Sequence, residues 1–304
     1  MRVAVVDMGT NSTRLLIADV TGPGELSEVQ RVLEITRLGA GVDRTRRLAD
    51  DAIGRTMTVV RRYRELADAQ GAQVRLATAT SAVRDAANGA GFLVRLEAET
   101  GFDARILPGA EEARLTRLGV LAGRPPIGGD VAIVDVGGGS TEVSVGPGRT
   151  VSLDAGCVRA TERWLAEDAV PLALQRHAAA ELRALFAAGV PAAWLPVDHG
   201  IAVAGTATTV AALDLGLAGY DAELIHGHVL TRQAIAAQRE RLAPLTAAER
   251  RAIGAVEPGR APVIVGGILV LEAALDRLGL DEVEVSERDL LHGIALLAGG
   301  YASR

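Results

Sequence analysis

Lysine is missing altogether from this chain, so all of its basic side-chain charge at neutral pH is arginine. Composition bias is the simplest source of that substitution. Its consequence is chemical: any clamp for an anion must use arginine's planar, bidentate fork or backbone N–H groups. Acidic residues number 38 against 32 basic ones, a formal net charge of −6, so binding a polyanion would need positive charge concentrated locally. Cysteine is nearly absent too. Cys157 stands alone, which excludes an internal disulfide, and it reads as a small buried hydrophobe because His177 and His199 form no Cys/His pattern with it. No apolar run approaches the roughly 18 residues of a membrane span. The N-terminus puts Asp7 and Asn11 where a signal peptide would need its apolar stretch. These absences lead to the expectation of a cytoplasmic protein with neither membrane nor nucleic acid as a partner. The 304 residues, 49% hydrophobic and 23% charged, suffice for two ordinary domains with real cores.

What is present is a repeat. Residues 3–14 read VAVVDMGTNSTR and residues 131–142 read VAIVDVGGGSTE, agreeing at seven of twelve positions. Val3, Ala4, Val6, Asp7, Gly9, Ser12 and Thr13 recur as Val131, Ala132, Val134, Asp135, Gly137, Ser140 and Thr141. Each copy is an apolar run, an Asp, a Gly/Ser/Thr turn and a second apolar run, the pattern of a β-hairpin with anion-binding chemistry in its turn. Duplication predicts two similar α/β domains, 1–122 and 123–304, joined at GRPPIGGD (123–130), with the last helix free to pack back on the first domain. If the domains face each other, the two turns line one cleft.

Between the hairpins, helical spacing is predicted over 51–70 and 90–100, a strand then loop over 74–84, a strand over 104–107, and a helix opening at Pro108 and Gly109. In the second half the alanine-rich stretch 178–193 reads as a helix. Three segments read as a strand, a small-residue turn and a helix: 200–213, 262–275 and 283–297.

The second turn, Asp135 to Glu142, carries the chemistry most openly. Gly137, Gly138 and Gly139 let successive N–H groups converge on one point, the geometry of an anion nest. Ser140 and Thr141 add hydroxyl donors, and Asp135 at the strand end suits Mg²⁺. A plain glycine-rich turn is the bland reading of this segment alone; its pairing with Asp7 to Thr13 is what weakens that reading.

Taken together, these segments resemble the Ppx/GppA phosphatase family (exopolyphosphatases and guanosine pentaphosphate phosphohydrolases) of the actin-like ATPase superfamily, in its short two-domain form. The resemblance runs over nearly the whole chain. It rests on Asp7–Ser12, Asp135–Glu142, ATSAVRDAANG (79–89), GAEEARL (109–115), GCVRATERWL (156–165), AGTATTVAAL (204–213), YDAELIHG (220–227) and VSERDLLHGIAL (285–296). It implies two actin-like (ribonuclease H-like) domains with mixed sheets flanked by helices and an active site in the interdomain cleft. It also implies a Mg²⁺-dependent hydrolase that removes the terminal phosphate of polyphosphate, or of guanosine pentaphosphate (pppGpp), with a non-catalytic sensor as the further alternative. A homodimer is compatible with it.

By the same resemblance Glu112 is the catalytic base, and Arg84 and Glu142 complete the catalytic set. Asn11, Ser12 and Thr13, assisted by Arg14, hold the terminal phosphate together with Gly137, Gly138, Gly139, Ser140 and Thr141. Asp135, Asp7 and Glu142 are the expected metal ligands. On residues alone, Glu112 and Glu111 would both be solvated surface charges in the first turn of a helix. The clusters Arg44/Arg46/Arg47, Arg61/Arg62/Arg64 and Arg250/Arg251 suggest an arginine-lined path for a long polyanion, although any one of them taken alone reads more readily as a solvated face.

Overall fold

The computed structural model describes residues 1–300 and divides the chain into two compact units, Met1–Pro125 with the residues from Arg288 on, and Pro126–Glu287. In the first unit β1 (Arg2–Met8), β2 (Thr13–Gly22), β3 (Glu25–Glu34), β4 (Val74–Ala79) and β5 (Asp103–Ile106) form a sheet in the order β3-β2-β1-β4-β5. The first three strands pair antiparallel, and β4 and β5 continue the sheet in parallel. The second unit contains β6 (Val131–Val136), β7 (Thr141–Val145), β8 (Arg149–Leu153), β9 (His199–Val203), β10 (Val229–Thr231) and β11 (Glu282–Val285). Its order β8-β7-β6-β9-β11 repeats the first sheet, and β10 adds an antiparallel edge. These are the two similar α/β domains that the repeated segment implies.

The apolar runs of β1 and β6 are continuous, not alternating, because both faces of each sheet are covered. In β1, Ala4, Val6 and Met8 join the core beneath helix Asp50–Ala69, while Val3 and Val5 join a separate core with Leu290, Leu291 and Ile294 of the last helix. Period-two alternation thus feeds two cores from one strand.

The last helix (Leu290–Ala298) lies against helix Gly109–Leu121 at a distance only glycine permits. A Cβ on Gly293 would stand 1.8 Å from the Leu115 carbonyl oxygen, and one on Gly119 would stand 2.1 Å from the Asp289 oxygen. Backbone cannot yield as a side-chain tip can. Gly293→Ala should therefore destabilise the protein by about 3 kcal/mol, the upper part of the overpacking range, read as a lowered chemical-denaturation midpoint. An unchanged midpoint would show that the two helices slide apart freely.

Two sequence expectations fail here. Residues 262–275 are not strand-then-helix: they lie largely in one helix, Ile264–Leu278, buried along most of its length and packed on helices Cys157–Trp164 and Leu172–Gly189. A β-branched apolar run bounded by Pro reads alike for a buried strand and a buried helix. In 200–213 no turn separates strand from helix; β9 ends at Val203 and the helix begins at Ala204, which takes up the change of direction with a left-handed φ of 68°.

Candidate active site

In each unit the site begins at the hairpin between the first two strands. Gly9 N–H donates to the Ser12 carbonyl at 2.9 Å, and Gly137 N–H donates to that of Ser140 at 3.0 Å, so the duplicated turns share one backbone geometry. The other carbonyls of both turns are tied back into the protein. In the first, Asn11 and Thr10 accept from Arg37 N–H (2.9 Å) and Gly39 N–H (2.8 Å). In the second, Gly137 accepts from Cys157 N–H at 2.9 Å and Gly138 from Val158 N–H at 2.8 Å, and buried Arg159 donates through Nε to Gly139 at 2.6 Å. The N–H groups of Thr10, Asn11 and Ser12, and of Gly138, Gly139 and Ser140, find no protein acceptor among the described residues. Tied-back carbonyls with unclaimed N–H groups are what an anion cradle requires. Gly156 belongs to the second one: a Cβ there would lie 2.4 Å from the Gly138 carbonyl group.

The two hydroxyls expected to line these cradles point elsewhere. Thr13 Oγ1 bonds Thr36 Oγ1 at 2.9 Å, Thr141 Oγ1 donates to the Ala155 carbonyl, and both residues are fully buried. As the first residues of β2 and β7 they face the interior by strand alternation. Thr13 and Thr141 thus brace the turns from behind, while Asn11 and Ser12 remain half-exposed and Ser140 is buried within its turn.

The duplicated hairpins differ in charge at one paired position. Register places Asp7 opposite Arg14 in the first unit and Asp135 opposite Glu142 in the second. Facing cross-strand residues have Cβ atoms roughly 5 Å apart. The first pair neutralises itself: Arg14 donates to Asp7 Oδ2 through Nη2 at 2.7 Å and through Nε at 3.2 Å, and its Nη1 reaches Asp289. Arg14, expected to assist with phosphate, is therefore held by two carboxylates. Asp7 Oδ1 is buried with no hydrogen-bond partner, and burial, only partly offset by Arg14, pushes the Asp7 carboxyl above its ordinary range. The second pair brings two carboxylates together, with Glu142 Oε1 accepting from Ser152 Oγ at 2.6 Å and both acids buried.

Glu112 is the clearest case of a residue misjudged from its surroundings in the sequence. It stands in the first turn of its helix, but only 6% of it is exposed. Arg84 anchors to the Leu107 carbonyl through Nη1 at 2.8 Å, and the same nitrogen meets Glu112 Oε2 at 3.3 Å. Neighbouring Glu111, one residue around the helix, pairs instead with Arg105 at 2.9 Å on a more open face.

Asp289 and His292 lie within the stretch 285–296, yet nothing in its local pattern assigned them a role. Asp289 caps the last helix, accepting from Leu291 N–H, and His292 returns the bond through Nδ1 to the Asp289 N–H at 3.1 Å. His292 Nε2 meets Glu28 Oε1 at 2.8 Å. The Asp-x-x-His spacing before an apolar run is the legible signal, a variant of the capping box. Burial opposes charge on Asp289, yet Arg14, His292 and Arg31 hold its carboxyl far below the ordinary range. Burial likewise opposes charge on His292, but Asp289 and Glu28 outweigh it and raise the imidazole above its usual value.

The linkage has a definite sign. A raised histidine stabilises the folded state fully below its unfolded value of about 6.5, and that contribution is lost as pH climbs through the folded value. The melting temperature should accordingly fall from neutral to alkaline pH, and Glu28→Gln should start that fall at lower pH and make it smaller. A Glu28→Gln profile parallel to wild type would separate His292 from the effect.

Cys157 is buried, and burial pushes its thiol up to about 11, which leaves it inert as a nucleophile. No helix among the described residues is long and apolar enough to cross a membrane.

Comparison with known proteins identifies the family and agrees with the fold. The model of the Ppx/GppA phosphatase family matches residues 3–298. Exopolyphosphatase 2 of Mycobacterium tuberculosis is 39% identical over 317 aligned positions, covering 98% of this chain and 99% of that protein. A crystal structure of an exopolyphosphatase-like protein superposes with a TM-score of 0.91 at 33% identity, over 99% of both chains. The crystal structure of the Aquifex aeolicus Ppx/GppA family member gives 0.83 at 33% identity, covering 100% of this chain and 99% of that one. A family match over residues 3–298 and relatives of this similarity along their whole length show that this chain belongs to the Ppx/GppA phosphatase family and is a hydrolase.

Proposed function

We propose that the protein is an exopolyphosphatase, releasing orthophosphate from the end of inorganic polyphosphate by attack of water. The observation that carries this reading is the duplicated turn with its carbonyls bonded inward and its N–H groups unclaimed. Unclaimed backbone N–H groups suit the oxygens of a phosphate. The relatedness to exopolyphosphatases supports the same substrate class.

In this reading Glu112 orients a water and takes its proton, a general-base contribution of about 10²–10⁴ in rate. Arg84, fixed by the Leu107 carbonyl, keeps the carboxylate in one rotamer and offers its remaining donors to phosphoryl oxygens. The N–H groups of the turns are preorganised donors for charge on the non-bridging oxygens. Phosphoryl transfer asks mainly for such positioning and electrostatics, and no side-chain nucleophile is required.

A divalent cation fits the donor set of the second unit. Asp135 and Glu142 are hard oxygen ligands brought side by side, where the equivalent pair in the first unit, Asp7 with Arg14, is already neutral. Among the described residues no group of three or more His, Cys, Asp or Glu forms a cage. Mg²⁺ usually takes one or two carboxylates and completes its shell with water and phosphate oxygens. Asp135 and Glu142 would hold it, and the ion would offset charge on the substrate. The expectation of Mg²⁺ dependence rests on this fit.

The test is orthophosphate release from long polyphosphate, tripolyphosphate and guanosine pentaphosphate, side by side with Mg²⁺ and with chelator. Long polyphosphate should give the highest kcat/KM. Release from the nucleotide alone would overturn the reading.

A further inference from the structure

Most arginines of this protein are already engaged. Of the clusters that suggested a path for a polyanion, Arg61 pairs with Glu99, Arg62 with Glu34 and Arg64 with Asp68. Arg250 is not on the surface at all: it is 1% exposed and donates to the carbonyls of Leu242 (2.9 Å), Asp168 (2.8 Å) and Ala261 (3.2 Å), a structural strut. One group stands apart. Arg37, Arg44, Arg46 and Arg47 are exposed, and among the described residues their side chains make neither ion pair nor hydrogen bond. Of the acids close in sequence, Asp51 is taken by Arg55 at 2.6 Å.

This segment is fastened to the first cradle. Arg37 N–H and Gly39 N–H are the groups that hold the Asn11 and Thr10 carbonyls. Its far end is fastened beside Arg84: the Arg46 carbonyl accepts from Ala87 N–H at 2.9 Å, and Asn88 brackets Leu48 with bonds of 2.9 and 3.0 Å. Arg37 and Arg46 also hold left-handed backbone, with φ of 50° and 53°, which glycine or asparagine adopts at lower cost. Four unpaired guanidiniums on a rigid support, adjoining an anion cradle, in a protein of net charge −6, concentrate positive field at one place.

We propose that Arg37, Arg44, Arg46 and Arg47 form a binding surface for internal phosphates of a polyphosphate chain whose end lies in the terminal site. This rests on the exopolyphosphatase reading and extends it to chain-length preference: long chains reach the surface and tripolyphosphate does not.

The experiment compares wild type with the variant Arg37→Asn/Arg44→Gln/Arg46→Asn/Arg47→Gln, asparagine being chosen where φ is positive. A control with the same charge loss replaces the paired residues Arg61, Arg62, Arg64 and Arg95 by Gln. Affinity for long polyphosphate is measured directly as a function of salt, and kinetics are measured on both polyphosphate lengths. The four-site variant should keep kcat and KM for tripolyphosphate within about twofold and raise KM for long chains at least tenfold. Its slope of log affinity against log salt should be shallower by about 3, at roughly 0.7 for each phosphate no longer neutralised, by analogy with single strands. The control should match wild type. Hydrolysis of long chains with unchanged KM and slope, or an equal effect in the control, would overturn this inference. Arginine-dependent binding of long chains without any hydrolysis would leave the surface standing and sink the functional reading instead.

Discussion

Glu112→Gln should lower turnover at least a hundredfold while substrate affinity stays within a few fold of wild type. The substitution preserves shape and the capacity to hydrogen-bond Arg84, and it removes only the basicity. A positioned general base contributes about 10²–10⁴. Glu112 is the carboxylate that meets Arg84, and it is buried where a first-turn glutamate is ordinarily exposed. Burying a charge costs free energy unless it is compensated, so a first-turn carboxylate buried beside an arginine points to chemistry. Single-turnover phosphate release and equilibrium binding, measured separately, check this. A loss below tenfold would place the base elsewhere. A loss of binding equal to the loss of rate would make Glu112 a binding group.

Asp135→Asn is expected to have the next largest effect. At fixed low Mg²⁺ the rate should fall by on the order of 10- to 100-fold, with the half-saturating Mg²⁺ raised correspondingly, the scale seen when a metal site's carboxylates are disturbed. The reasoning is the charge asymmetry of the hairpins. Asp7 faces Arg14, whereas Asp135 faces Glu142, so the second hairpin brings two hard oxygen donors to one place. The substitution keeps the shape of the side chain, so the melting temperature without Mg²⁺ should stay close to that of wild type. An unchanged Mg²⁺ titration together with a lowered melting temperature would make Asp135 a turn residue with no metal role.

Much of the fold was legible because the repeat is legible. Val3–Asp7 and Val131–Asp135 announce strands, their turns announce hairpins, and the duplicated sheet order follows. The helices closed by Gly71 and Gly101 were likewise readable, both glycines taking left-handed φ, 69° and 67°. What escaped depended on partners distant in the chain. A β-branched run such as that around Ile264 does not encode whether it meets strands or helices; here it meets helices on several sides. The bounds of the edge strand Glu25–Glu34 are not legible because its charged, half-exposed pattern lacks a clean period. Thr13 and Thr141 looked like phosphate donors because the repeat preserves them, yet a buried bracing role would preserve them equally. Arg250 looked like surface charge beside Arg251, and only the carbonyls of Leu242, Asp168 and Ala261 reveal it as interior. Asp289 reaches Arg14 from 275 positions away, a pairing no local pattern encodes.

The most direct test of terminal hydrolysis is the product pattern from long polyphosphate of uniform length, sampled through early turnover and resolved by size. Attack at the chain end should yield orthophosphate as the sole small product, with the remaining chains intact or shortened from the end. Release of a spread of medium-length fragments before orthophosphate appears would mean internal cleavage, and would contradict the assignment of the cradles to a terminal phosphate.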